Sequence, residues 1–409
     1  MYHLLLVGVA VLKHQQGQKI FKTQSSQRNE VFFFKYILQK YFVILFLGLF
    51  LCFSCQNSNT ENPHSDKKEI NSKPIKLLFG GDILLDRGVR VEIEKKGVVA
   101  LFDNLKPIFD EYQSNNDSEN NFILANLECP LTNESSPIPK RFSFRAPSSY
   151  ADSLKKVGFT HLFLANNHTN DHHRKGLSNT FNALKKAGII GIGYGETHSE
   201  SCEPIFIEKG SNKEKTKIAI FSVVRVPLEN WYRMEEKPSI CQLGTQELVE
   251  KVKQLKQKEP QTIIIISLHW GTEYKFSPRA EQRKEAHLLT LAGADAIIGH
   301  HPHVTQSIEF VNEKPVFYSL GNFVFDQEGE FRDRCILLEF EIQSKKINRI
   351  LVYPLEIKNC VPQFFSDSEK DSVEKAIFEN QLQNLSKSVR FEYIKKDSSH
   401  LSSLLIQKK

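Results

Sequence analysis

Eight side chains able to hold a metal ion or move a proton stand at the ends of short apolar runs. Ile75–Phe79 leads into Gly80-Gly81-Asp82, and Phe122–Ala125 into Asn126-Leu127-Glu128. His161–Ala165 leads into Asn166-Asn167-His168, and Ile263–Ile266 into Ser267-Leu268-His269. Ala296–Ile298 ends in Gly299-His300-His301-Pro302-His303, and Val316–Tyr318 in Ser319-Leu320-Gly321-Asn322. Taken singly, each has a plain structural use: Asp82 as a helix cap, Asn167 as a turn brace, His269 beside Trp270 as a core histidine. Together at successive run ends they are hard to explain by packing. A set of carboxylates, imidazoles and an amide suits Mn, Fe or Zn better than Ca, which prefers oxygen ligands alone. Two such ions a few ångströms apart can clamp a phosphoryl or acyl oxygen and acidify a bridging water. Asp82 or Glu128 could bridge the pair, and a histidine outside the ligand set could protonate a leaving group.

The elements that must position these groups follow from the pattern. Short runs rich in β-branched and aromatic residues read as strands buried on both faces. Helical spacing marks Tyr150–Val157, Leu177–Ala187, Gln246–Lys258 and Arg279–Ala292, and Gly188 stops the second of these. Strand–helix alternation indicates an α/β fold, in which ligands bind beyond the carboxyl ends of strands. Cys335–Ile342 and Ile347–Tyr353 read as a hairpin covering the sheet edge, followed by a helix over Glu369–Val389. The last twenty residues carry no legible chemistry. Gly191-Ile192-Gly193 reads as a turn, because it does not join a strand to a helix as a nucleotide fingerprint must.

The ordered set Gly81-Asp82, Asn126-Leu-Glu128, Ala165-Asn-Asn-His168, His269-Trp-Gly-Thr-Glu273, Gly299-His-His-Pro-His303 and Ser319–Asp326 resembles the poly-gamma-glutamate capsule biosynthesis (CapA) family. That family is similar to calcineurin-like metallophosphoesterases, and the resemblance spans roughly Ile75 to Asp326. It implies an α/β sandwich of mixed sheets flanked by helices, with a C-terminal hairpin and helix extension. It implies that Asp82, Glu128, Asn167, His269, His300, His301 and His303 hold a divalent pair of Mn, Fe or Zn. His168 would act as general acid, with Asp171 three residues on to orient it and Asp86 in a similar supporting role. Arg145, in a Phe-Arg-Ala-Pro run, would bind substrate with Glu273 and Asn322; Arg141 shares the Arg145 loop, Tyr274 would line the same cleft as Glu273, and Asn322 and Asp326 would also brace ligands. His172 and His173 are expected at the surface. Two departures stand out: Ile83-Leu84 replaces the Asp-x-His histidine of phosphoesterases, and Glu128 stands where they use Asp.

Residues 1–54 carry six of the 54 Lys and Arg and one of the 48 Asp and Glu, leaving 48 bases against 47 acids beyond them. A near-neutral body lacks the positive stripe that nucleic acid demands. Tyr41–Phe53 is an apolar run behind Lys35 and Lys40, shorter than a spanning helix needs, and it ends at Cys52-Phe53-Ser54-Cys55. This resembles a lipoprotein signal with Cys55 as the lipidated residue; a retained anchor and plain secretion are the alternatives. The expected organisation is a leader over 1–55, a polar tether over 56–74, a catalytic domain over 75–326, and 327–409 completing it. Cys129, Cys202, Cys241, Cys335 and Cys360 read as ordinary thiols; one disulfide is compatible with export, but the spacing selects no pair. The expected function is a lipid-anchored envelope hydrolase acting on an anionic polymer or phosphoester in capsule synthesis, with membrane capsule-synthesis proteins as partners and no nucleic acid. The alternative is a non-catalytic polymer-binding or export factor using the same cleft.

Overall fold

The computed structural model describes residues 73–114, 118–211, 214–366, 368–395 and 402–409. The leader, Cys55 and nearly all of the tether lie outside these residues. Among the described residues, no helix is long and apolar enough to cross a membrane.

Two sheets lie face to face. The larger runs Val389–Lys395, Ser402–Lys408, Lys346–Lys358, Arg334–Gln343, Ile75–Ile83, Asn121–Leu127, His161–Phe163, Ile190–Ile192. Two short strands pair alongside it: Asn322–Val324 on Ile75–Ile83, and Val361–Phe364 on Lys346–Lys358. The smaller sheet runs Ile308–Val311, Lys314–Phe317, Ala296–His300, Ile263–His269, Thr216–Val224, Ile205–Lys209. Strand alternation explains how one sequence fills both faces. Ile75, Leu77 and Phe79 point into the sandwich, where they share a core with Ile218, Ile220, Ile263, Ile265 and Ile298 of the smaller sheet. Leu78 points outward into a second core with Leu101, Phe109, Leu154 and Leu184 from the helices behind. Ile264, Ile266 and Ile297 point the other way, against Leu248, Val252 and Leu289. The order of layers is therefore helix, sheet, sheet, helix, the mixed α/β class expected.

Tyr150–Val157 forms a helix with the expected ends, and the others begin within a few residues of expectation, at His173, Thr245 and Ala280. Gly188 adopts φ 75° and caps its helix by donating to Leu184 and Lys185 carbonyls, a conformation glycine adopts without strain. Several expectations are corrected. The 334–358 hairpin does not sit at the sheet edge: Arg334–Gln343 pairs with Ile75–Ile83, and Ser402–Lys408 pairs on the hairpin's outer side. Val389–Lys395 and Ser402–Lys408 supply that flanking pair. Ile190–Ile192 is a parallel edge strand on His161–Phe163, not part of a turn. Cys202 and Cys241 are not free thiols but form a disulfide, with Cα atoms 4.7 Å apart. Cys129, Cys335 and Cys360 are free.

Candidate metal centre

Strand register brings the donors together. In the larger sheet Asp82 lies opposite Asn126 on one side and Asn322 on the other. In the smaller sheet His269 lies opposite His300 and Val224. Both sets sit at the carboxyl ends of parallel strands, and the sandwich stacks one over the other. Two glycines allow this closeness. A Cβ on Gly81 would stand 2.0 Å from the Gly321 carbonyl, and one on Gly299 1.9 Å from that of Tyr318. Neither contact is sterically possible, so the residues before Asp82 and His300 must be glycine.

The donors converge in overlapping groups. Glu128 with His269 and His301, Asp82 with Glu128 and His303, and Glu273 with His301 and His303 each bring ligand atoms within 4.8 Å of one another. Glu128 belongs to two of these, facing His269 Nε2 at 3.6 Å and His303 Nε2 at 3.8 Å. Asp82 Oδ2 faces His303 Nδ1 at 3.6 Å and accepts the His301 amide at 3.2 Å, while Oδ1 faces His300 Nδ1 at 3.2 Å. The Asn167 carboxamide oxygen lies 2.7 Å from His269 Nε2, on the same side. His301 and His303 hold φ of 97° and 57°, and Tyr274, in the loop after His269, holds 61°. Such backbone costs about 1–3 kcal/mol per residue and persists where surrounding contacts dictate it. Here the His301 amide bond to Asp82 and the Tyr274 amide bond to the Pro302 carbonyl at 2.8 Å are among those contacts.

The electrostatics suit a divalent cation. Both Glu128 carboxylate oxygens are buried without a hydrogen-bond partner, as are Nδ1 of His301 and Nε2 of His300. Burial pushes the Glu128 carboxyl well above the usual range, and the Asp82 and Glu273 charges push it further. Burial also acts to raise the Asp82 carboxyl, but His300, His303 and the Asn126 amide hold it below the usual range. Burial, then the neighbouring imidazoles, holds His269 well below the ordinary histidine value, and His301 falls to about 3. Neutral imidazoles aimed at an unpartnered carboxylate form an arrangement that divalent metal binding would satisfy.

Beside the donors, His168 Nδ1 bonds Asp171 Oδ2 at 2.9 Å, and its ring stacks on Phe144 at 4.2 Å. Asp171 is fully buried; its other oxygen pairs with the buried Lys140 ammonium, which also donates to the Asn167 carbonyl at 2.9 Å. Burial lowers the His168 pKa, and Asp171 opposes the shift.

A family model described as bacterial capsule synthesis protein PGA_cap matches residues 76–327. The chain belongs to that family. The Bacillus subtilis protein named PGA biosynthesis protein CapA is 27% identical over 362 residues, covering 88% of each chain. The Bacillus anthracis capsule biosynthesis protein CapA is 28% identical over 302 residues, covering 72% of this chain and 71% of its own. A crystal structure described as a novel phosphatase from Mycoplasma pneumoniae aligns at 13% identity and TM-score 0.40, covering 71% of this chain and 95% of that one.

The PGA_cap match ends just beyond Asp326, and its span contains each of the donors above. The remaining expected site residues fall differently. Asn322 is fully buried behind His303: its oxygen lies 2.9 Å from His303 Nδ1, and its amide donates to the carbonyls of His303 and Arg332. It is placed to orient an imidazole rather than to meet a substrate. The Arg145 guanidinium reaches the Asn133 and Glu134 carbonyls at 3.4 Å, and its amide donates to Asp86 Oδ2 at 2.7 Å. Arg87 lies over the Phe144 ring that stacks on His168, and it forms a two-point pair with Asp326. His172 is buried, not superficial, and its Nδ1 accepts the Ser136 amide at 3.1 Å. Lys140 stands in the same Lys-Arg-Phe-Ser-Phe-Arg run as Arg145, but nothing local in the sequence marks it as a partner of Asp171. Nor does the sequence mark Asn126 and Asn166, whose amides form a relay from the Leu127 carbonyl to Asp82.

Proposed function

We propose that this chain is a cell-envelope, metal-dependent hydrolase of capsule synthesis, acting on an anionic polymer or a phosphoester. The observation that carries the reading is Glu128: a fully buried carboxylate with two unpartnered oxygens, faced by Asp82, His269, His301 and His303. Asp82, Glu128 and His303 would hold one divalent ion; Glu128, Asn167, His269 and His301 would hold a second. Such ions supply Lewis-acid polarisation of a phosphoryl or acyl oxygen. Asp171 accepts from His168 Nδ1, leaving Nε2 as the atom that gives or takes a proton at the leaving group. Lys140 keeps Asp171 charge-paired, and Phe144 covers one face of the imidazole. The printed names of the relatives, which include a probable polyglutamine synthesis accessory protein of Mycobacterium tuberculosis, support a polyglutamate-like chain as the polymer. The disulfide and the lipoprotein-like leader ending at Cys55 support export and a lipid anchor at a bacterial membrane.

A second reading, a binding or export factor without turnover, rests on Ile83 and Leu84. Both are fully buried in the apolar core, so the strand end after Asp82 supplies no imidazole. Elemental analysis of the purified protein, with assays on a phosphodiester and on poly-γ-glutamate, separates the two. Bound transition metal lost in His301→Ala, with turnover abolished in His168→Ala while metal is retained, supports the hydrolase. Metal without turnover on either substrate moves the assignment to the binding factor. No uptake of Mn, Fe or Zn on titration sinks both.

A further inference from the structure

A cavity of about 360 Å³ opens on the far end of the loop that carries His168. Ile138 and Asn170 form part of its wall, and the rest comes from the first turn of the His173–Ala187 helix and from the 230–234 segment. Its composition is one-sided. His173, Arg174 and Lys175 line it, Trp231, Tyr232 and Met234 face them, and no acidic side chain takes part. Two other cavities mix signs: Asp152 with Lys186 in one, Glu208 and Glu259 with Lys215 and Lys217 in the other.

Three features depart from what folding alone favours. The first helical turn carries no acid, although its positive dipole end favours one, and it holds three consecutive bases instead. Tyr232 and Met234 are 81% and 50% exposed within four residues of Trp231, so a large apolar surface is concentrated at one place. Among the described residues, the His173 and Lys175 side chains have no ion-pair partner. Of the acids flanking the segment, Glu235 is engaged elsewhere: it holds Arg233 at 2.7 Å and faces His198 at 3.5 Å. Arg174 supplies rigidity. Its guanidinium donates to the Tyr232 and Pro238 carbonyls and lies 3.9 Å over the Trp231 ring, whose Nε1–H donates to Gln242 at 2.7 Å. The aromatic platform is thereby fixed before any ligand arrives.

We propose that this cavity is a binding subsite for a carboxylate-bearing, amide-linked chain, gripping it outside the metal centre. Lys175 and His173 would meet carboxylates, and the Trp231 and Tyr232 rings would lie against flat amide groups. The inference rests on the proposed function for the identity of the chain, but its test does not depend on turnover. The protein contains two tryptophans, and Trp270 is buried in the core, so a ligand-induced change in tryptophan emission reports on Trp231.

The experiment titrates the metal-free full chain with poly-γ-glutamate while following tryptophan emission. Saturable binding is expected, weakened about tenfold or more in Lys175→Glu and in Tyr232→Ala, and unchanged in His301→Ala. Both subsite positions are at the surface, and circular dichroism checks that the variants stay folded. No emission change, or equal affinity in all variants, overturns the subsite. Tighter binding of polyphosphate than of poly-γ-glutamate overturns the carboxylate assignment. A protein that binds the chain here but takes up no metal retains the subsite and loses the hydrolase reading.

Discussion

Glu339, within the larger sheet, and Glu128, at the end of one of its strands, are both buried, and they are treated in opposite ways. Glu339 is 2% exposed and accepts the Tyr353 hydroxyl at 3.0 Å. Glu128 is fully buried and has no partner for either oxygen. The other buried glutamates follow Glu339: Glu285 takes the Arg225 guanidinium, and Glu356 takes Lys358 and the Gln363 amide. A buried carboxylate left unpaired costs several kcal/mol unless it is protonated or meets a cation. Among the described residues the other buried glutamates satisfy that cost, and Glu128, where four strands end together, does not. The exception therefore marks the functional site more sharply than the number of polar residues around it does.

The contrast can be broken from its paired side or its unpaired side, and the largest effect is expected at a pair. Lys140→Met removes the ammonium from the buried Asp171, leaving that carboxylate with His168 and the Phe144 amide. Loss of about 3–5 kcal/mol of stability is expected in denaturant unfolding of the metal-free protein. A loss below about 1 kcal/mol would show that the pair does not behave as a buried one. Glu128→Gln should behave oppositely. The metal-free protein should hold its stability or gain up to about 2 kcal/mol, because an unpaired charge is replaced by a neutral isostere. Its metal affinity should fall by more than the ~10²-fold that loss of a supporting partner costs. Isothermal titration with Mn and Zn reads the second effect. Destabilisation matching that of Lys140→Met would mean that Glu128 is structurally paired after all.

The same contrast explains what was legible in the sequence. A parallel strand buried on both faces must be apolar throughout, so its polar end is conspicuous, and Asp82, Glu128, His269 and the His300–His303 cluster could be found without knowing which strands pair. Strand order was not legible, because pairing partners lie far apart in the chain and leave no local period. Thr216–Val224 went unrecognised and the 334–358 hairpin was set at the edge for that reason. The supporting shell was harder still. Lys140, Asn126 and Asn166 are common residue types in unremarkable settings, and only their burial against Asp171 and Asp82 gives them a role. The Cys202–Cys241 bridge depends on the Tyr194–Gly195 and Ser239–Ile240 strands meeting, which no spacing announced.

Buried histidines sharpen the comparison further. His161 lies in the larger sheet, 3% exposed, with Nε2 unpartnered and Nδ1 2.9 Å from the Thr160 hydroxyl. Burial, then Lys155, lowers its pKa to about 4. Unfolded, it takes up a proton below about 6.5; folded, it resists until about 4, so the unfolded state binds more protons between these values. Stability from this group is therefore present above about 6.5 and is lost as pH falls through the window, by about 3 kcal/mol at most. His161→Gln should flatten that part of the stability–pH curve, measured by urea unfolding from pH 4 to 7. An unchanged slope would assign the acid sensitivity to the metal-site imidazoles instead.

The smallest effect tests the satisfied glutamate itself. Tyr353→Phe removes the hydroxyl that Glu339 accepts and changes little else, because the ring stays packed edge-on against Phe364. Burial, then the Glu339 charge, drives the Tyr353 hydroxyl upward, so it remains a donor at every pH at which the protein is folded. The variant should lose about 1–2 kcal/mol, the cost of leaving one buried acceptor short of a partner. Metal affinity and the Trp231 titration should not move. If Tyr353→Phe is neutral, Glu339 tolerates an unmet oxygen as Glu128 does, and the absence of a partner no longer distinguishes the functional carboxylate from the structural one.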